Sequence, residues 1–186
     1  MRTRAILTLV CSLSLASVLS SAGGQAPSAS KPLTAGSTVK TELPLIDLDG
    51  YKKILATYKG KPLLVTFWAT WCEPCRDEYP MIVDLTKQYA PKGLAVYGVS
   101  YDFNADVNLM KRFLIKYQPT FPNYRQKPGV DVDGFDRGVN SEWTGTMPET
   151  IFYGRDGRIL IHFEGEHTRA DFVKAIDLIL ASPAAH

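Results

Sequence analysis

The sequence predicts an α/β domain: a mixed central sheet with helices on both faces. Two observations carry this. Apolar strand runs alternate with amphipathic helical stretches through the middle of the chain, and an antiparallel hairpin signal follows near its end. The 186 residues, 45% hydrophobic and 22% charged, suit one globular domain and exclude collagen-like, low-complexity and wholly disordered chains.

In chain order, Arg2 and Arg4 open a basic segment. The apolar stretch Ala5 to Leu19 follows, and then the small residues Ser20, Ser21 and Ala22. This is the anatomy of a secretory signal peptide over residues 1–22. The apolar stretch, diluted by Ser12, Ser14 and Ser17, is shorter than the ~20 residues that span a bilayer, so cleavage is expected; a retained membrane anchor is the alternative. Cys11 would leave with the signal. Removing Arg2 and Arg4 leaves 19 basic residues against 19 acidic ones, so no basic surface suggests nucleic acid. Residues 23–38, rich in Gly, Ala, Ser and Pro, read as a flexible leader. A domain over 39–182 and a tail over 183–186 complete the expected organisation.

Within the domain, Val39 to Asp47 reads as an extended segment ended by a turn at Asp49-Gly50. Leu63 to Trp68, apolar and bounded by Gly60-Lys61-Pro62, reads as a buried central strand. A helix is expected from Glu73 to Ala90, with Tyr79, Ile82, Val83, Thr86 and Tyr89 on one stripe and a kink at Pro80. Pro91 and Gly93 end it. Leu94 to Ser100 is the next strand and Ala105 to Tyr117 the next helix. Gln118 to Gly145, with three Pro and four Gly among 28 residues, is the least regular part and reads as an inserted segment or binding surface. Trp143 and Phe135 would make contacts there or pack onto the sheet. Gly154-Arg155-Asp156-Gly157 joins two hairpin strands, and a last helix starts at Thr168 with Asp171 completing a capping box.

The chemistry lies in Trp71-Cys72-Glu73-Pro74-Cys75, directly after the buried strand and at a helix start. Residues i and i+3 are neighbours on a helix, so the two sulfurs can close a small ring. Free backbone amides and the helix dipole favour an anion at the first thiol, which makes Cys72 the nucleophile and Cys75 the resolving thiol. A zinc site would need further ligands, and only His162, His167 and His186 remain. A haem attachment site would carry His where Arg76 stands. A peroxidatic cysteine would sit three residues after a Thr, where this chain has Ala69.

Lys61 to Pro80, KPLLVTFWATWCEPCRDEYP, resembles the active-site segment of thioredoxin-like proteins, and more narrowly the TlpA-like, extracytoplasmic cytochrome-c-maturation branch. Gly145-Thr-Met-Pro148-Glu-Thr150, followed by a strand, Asp-Gly and a further strand, is a second match in the right order. The resemblance covers about residues 39–182. It implies the thioredoxin fold, with an N-terminal extension and an inserted segment before the strand that follows a cis-Pro at Pro148. It implies thiol–disulfide oxidoreductase activity without a metal or cofactor beyond the Cys72–Cys75 disulfide. Clients would be exported protein disulfides, apocytochrome c among them, and a membrane thiol carrier of the DsbD or CcdA type would supply electrons. The protein would then be periplasmic or otherwise extracytoplasmic, and a monomer.

Around the disulfide, Trp71, Met147 and Pro148 are the candidate substrate contacts, though Trp71 and Met147 also read as packing residues. Glu78 matches a Glu of the TlpA-like motif and could move the Cys75 proton. Its bland alternative is a solvated helix charge paired with Arg76 or a nearby Lys. Thioredoxin carries a buried Asp six residues before its first Cys; here that position is Thr66, which leaves Glu78 as the candidate carboxylate. Glu73 and Pro74 are the tuning candidates, because the Glu73 charge opposes a thiolate on Cys72 and favours a reductant. An oxidase or isomerase on the same fold, and a Sco-like copper carrier, are the rival readings. His162 reads as a surface residue, and His167 as a loop residue of no assigned role.

Overall fold

The computed structural model describes residues 41–183, so the expected signal peptide, the leader and His186 lie outside the described residues. Six strands form one sheet: β1 (Leu45–Ile46), β2 (Leu63–Trp68), β3 (Ala95–Ser100), β4 (Asn123–Gln126), β5 (Glu149–Tyr153) and β6 (Ile159–Glu164). Their spatial order is β1-β4-β3-β2-β5-β6. The first four pair in parallel, and β5 and β6 run antiparallel. Five helices accompany them: α1 (Leu48–Thr57), α2 (Glu73–Tyr89), α3 (Val107–Tyr117), α4 (Val132–Val139) and α5 (Arg169–Leu180). The expected mixed sheet, covered on both faces, is what forms.

Every residue of β2 is buried. Successive side chains point to opposite faces, so the strand divides the core in two. Leu64 and Trp68 join the cluster that holds Cys72, Cys75 and the apolar stripes of α2, α3 and α5. Leu63, Val65 and Phe67 join Tyr51 of α1, Phe135 and Val139 of α4, and Trp143 on the other face. Trp143 (5% exposed) and Phe135 (1%) therefore pack onto the sheet and are not exposed contact residues.

Two stretches differ from the sequence reading. Asp49-Gly50 is no turn, and the extended run shrinks to Leu45–Ile46, because Asp47 caps α1 by accepting from Gly50 N at 2.8 Å. An Asp followed by Gly satisfies a helix cap as well as a turn. The irregular 118–145 stretch contains β4, an interior strand, and α4. Its three Pro, Gly129 and Gly145 flank these short elements, whereas Gly134 and Gly138 lie within α4, which tertiary burial holds in place. Helix α2 continues through Pro80, and Gly93 (φ +95°) closes the turn behind it. The Thr168–Asp171 capping box forms as expected.

Buried Asn123 ties β4 to the first core: its Oδ1 accepts from Trp68 Nε1 and from Tyr79 Oη, both at 3.0 Å. Gly98 lies beside it, and a Cβ there would meet Asn123 Oδ1 at 2.2 Å. Asn123→Ala would orphan two buried donors at about 1–3 kcal/mol each. We expect urea unfolding to show about 2–4 kcal/mol of lost stability at an unchanged m-value; a loss below ~0.5 kcal/mol would sink this account of the β4 anchor.

Candidate functional site

The chain leaves β2 at Trp68, turns through Ala69, Thr70 and Trp71, and enters α2 at Cys72. Cys72 is the N-cap residue, extended at φ −82° and ψ 110°, and its Sγ accepts from Cys75 N at 3.2 Å. A Cys72–Cys75 disulfide closes here, with S–S 1.98 Å, a dihedral of 79° and Cα–Cα 5.3 Å. Both residues are buried, Cys75 (2% exposed) more than Cys72 (5%). Helix N-termini leave amides without intrahelical partners, and one of these meets the first sulfur.

Glu78 stands one turn beyond Cys75 and is buried, which removes its alternative as a solvated charge. Its Oε1 accepts from Thr150 Oγ1 at 3.5 Å and its Oε2 from His167 N at 3.4 Å. Burial pushes its pKa up to about 7 against these two hydrogen bonds, which pull the other way. Thr150 faces Thr66 across the β2–β5 pair. The helix thus brings the Glu78 carboxylate to the face of the sheet that Thr66 and Thr150 share. Arg76 turns away from Glu78, its Nη1 donating to Thr70 O at 3.2 Å. Glu73 is exposed and Pro74 half-buried.

The Met147–Pro148 peptide is cis. Pro148 is buried, and its carbonyl accepts from Gly165 N at 2.8 Å. Met147 is half-buried against both cores. With the exposed Trp71, it lines a cleft of about 380 Å³ whose wall includes Tyr101, Asp102, Phe103 and Val130. Four of the sequence-selected residues, Trp71, Cys72, Met147 and Pro148, thus sit on the turn before α2 and on the segment before β5.

Three buried carboxylates near these segments escaped the sequence reading. Glu149, directly after Pro148, has no solvent exposure, and burial pushes its pKa up to about 8. Its Oε1 meets His162 Nδ1 at 3.2 Å, so His162, read as a surface residue, is half-buried against an inward carboxylate. Ile151 pairs with His162 across β5 and β6, which puts the ring on the second-core side. Asp102 is bonded to Thr70 and Ser100, and Asp136, which also lines the cleft, accepts from Tyr101 Oη. His167 stacks on Phe163 with centroids 4.1 Å apart. A Pro-Glu step at a strand start was the available signal for Glu149, while nothing local marked Asp102.

Glu78 makes stability depend on pH. Between about pH 4.5 and 7 the folded chain retains a proton that the unfolded chain has released, so stability falls as pH rises through that window. The fall from this group is about 3 kcal/mol, and Glu149 adds a similar slope of its own. Subtracting the Glu78→Gln profile from wild type in urea unfolding at pH 4.5 and 7.5 should isolate the Glu78 part; parallel profiles would refute the assignment.

Comparison with known proteins agrees with this geometry. The chain matches the AhpC/TSA family over residues 23–161. It is 30% identical over 123 residues to the thiol-disulfide oxidoreductase ResA of Bacillus thuringiensis (strain Al Hakam), covering 66% of each chain. The match thus spans about two thirds of that relative's length. It is 41% identical over 87 residues to the thioredoxin-like protein YneN of Bacillus subtilis (strain 168), covering 46% of this chain and 51% of that one. A thioredoxin-family thiol:disulfide interchange protein of Chlorobium tepidum TLS superposes with a TM-score of 0.57 at 25% identity, over 68% of this chain and 84% of the other. With three quarters of its length matched and a CxxC disulfide at the start of α2, the chain belongs to the AhpC/TSA family and carries its thioredoxin-like fold.

Proposed function

We propose that this chain is an exported dithiol–disulfide oxidoreductase that reduces disulfides in extracytoplasmic proteins, apocytochrome c among them. The observation that carries this is the Cys72–Cys75 disulfide capping α2, with an amide on the first sulfur. The ResA relative, a thiol-disulfide oxidoreductase, adds support.

In the reduced protein the Cys72 thiolate attacks one sulfur of a client disulfide. A mixed disulfide forms, and the leaving thiolate takes up a proton. Cys75 then gives its proton to Glu78 and attacks Cys72 Sγ, which breaks the mixed disulfide and releases the second client thiolate. Glu78 returns the proton to that thiolate. Two electrons pass to the client, and the Cys72–Cys75 bond is the oxidised product. A carboxyl with a pKa of about 7 suits both taking and returning a proton near neutral pH. Trp71 and Met147 would hold the client chain, which would pair in extended form with the backbone before Pro148.

Glu73 biases the direction towards reduction, since a negative charge beside Cys72 disfavours the stable thiolate that makes a strong oxidant. An oxidising compartment would hold such a protein as the disulfide. A membrane thiol carrier of the DsbD or CcdA type would therefore supply its electrons. Export would rest on the signal peptide at residues 1–22, and the working domain would be 39–182, acting as a monomer.

Measuring the reduction potential tests the direction: a value at or below ~ −270 mV supports a reductase, whereas one near ~ −120 mV makes it an oxidase. Cys75→Ser should accumulate mixed disulfides on Cys72 in the exported compartment, and their masses would name client and donor. Absence of any adduct there would overturn the mechanism. Glu78→Gln should slow resolution by on the order of 10²-fold near pH 7, read as the decay of a preformed mixed disulfide.

A further inference from the structure

The turn between β2 and α2 is pinned from outside itself. The carboxylate of Asp102, buried just past β3, accepts from Thr70 N, with both oxygens at 3.0 Å, and from Thr70 Oγ1. Ser100 Oγ donates to the same carboxylate at 2.7 Å and accepts from Asp102 N at 3.1 Å. On its other side, Thr70 O accepts from Arg76 Nη1. Thr70 is thus held at its amide, hydroxyl and carbonyl. No cation reaches Asp102 among the described residues, so the turn's own donors are what satisfy this carboxylate.

The neighbours of the two clamped residues give the contact a use. Trp71 comes directly after Thr70 and is 58% exposed; Phe103 comes directly after Asp102 and is 76% exposed. Both side chains line the cleft that also holds Met147. Exposed aromatic residues of this size cost apolar hydration that a monomer's core would otherwise relieve. The Thr70–Asp102 bonds fix the spacing of the two backbones that carry these rings.

We propose that Asp102 and Thr70 are positioning residues that set Trp71 and Phe103 as an aromatic jaw for the polypeptide flanking the client's disulfide. This rests on the function proposed above. The occupant is a polypeptide because the cleft is continuous with the segments it would cross: Trp71 directly precedes Cys72, and Met147 directly precedes Pro148. A small disulfide would reach the sulfurs without spanning the jaw. The jaw therefore confers preference for protein clients and adds nothing to the reactivity of Cys72.

The test compares second-order rate constants of the pre-reduced full chain with insulin and with a small aromatic disulfide, 5,5′-dithiobis(2-nitrobenzoate). For Thr70→Val and Asp102→Ala, the ratio of the insulin constant to the small-disulfide constant should fall about 5- to 20-fold. Thr70→Ser, which restores the hydroxyl, should return it to within about twofold. Trp68 and Trp143 are buried, so acrylamide quenching of fluorescence reports chiefly on Trp71. Its quenching constant should change in Thr70→Val and revert in Thr70→Ser. An unchanged ratio in variants with native near-ultraviolet circular dichroism overturns the proposal, as does a parallel fall in both rates. Wild-type protein that reduces neither disulfide would instead refute the oxidoreductase reading itself.

Discussion

Strand β2 has no solvent-facing side chain, and the site depends on the register this enforces. A slip of one residue would send Leu64, Thr66 and Trp68 to the wrong core. With the strand locked, Trp68 lies opposite Ser100 on one side, and Phe67 lies opposite Glu149 on the other. Three connections therefore gather at one end of the sheet: the turn into α2, the Tyr101-Asp102-Phe103 segment, and the chain through Met147 and Pro148. None of these is held chiefly by its own hydrogen bonds. Each is where it is because a neighbouring strand end is where it is.

Three of the buried carboxylates near that end illustrate how environment separates chemically similar groups. Asp102 accepts from two donors of Thr70 and one of Ser100 and is fully served. Glu78 has two long bonds, and burial outweighs them. Glu149 has His162 on one oxygen and no hydrogen-bond partner on Oε2 among the described residues, and it faces Glu164 across the β5–β6 pair. In both poorly served groups burial outweighs the partners present: it lifts Glu78 to about 7 and, with Glu164 and Asp136 adding like charge, Glu149 to about 8. A carboxyl that takes and returns protons near neutrality thus needs burial with partners too few or too distant to hold its charge.

Local signals were legible wherever one segment carries its own information. Leu63 to Trp68 reads as a strand because it is apolar on both faces, and Cys72 to Cys75 as a redox pair because helical spacing alone brings the sulfurs together. Asp49-Gly50 misled because capping and turning use the same short polar side chain, and only Tyr51 packing beneath the sheet selects the helix. Burial of Phe135 and Val139 against Tyr51 and Phe67 likewise stabilises α4 within a stretch of turn formers. His162 looked solvent-facing because strand alternation does not say which face has a loop folded over it. The Thr70–Asp102 contact spans 32 residues, and no spacing rule reaches that far.

The electrostatics of the disulfide have two opposing parts with different ranges. The amide of Cys75 lies 3.2 Å from Cys72 Sγ, and the helix dipole acts on the same atom; both favour a thiolate and weaken steeply beyond the first turn. Glu73 is closer in sequence but exposed, so water screens much of its charge. Glu78, by contrast, is buried, and a charge there acts through protein, where screening is weak. With a pKa of about 7 it is populated in both the neutral and the negative form near neutral pH. A negative Glu78 disfavours a thiolate nearby by like-charge repulsion. The proton transfer proposed above, from Cys75 to Glu78, would couple resolution of the mixed disulfide to the charge state of this carboxylate.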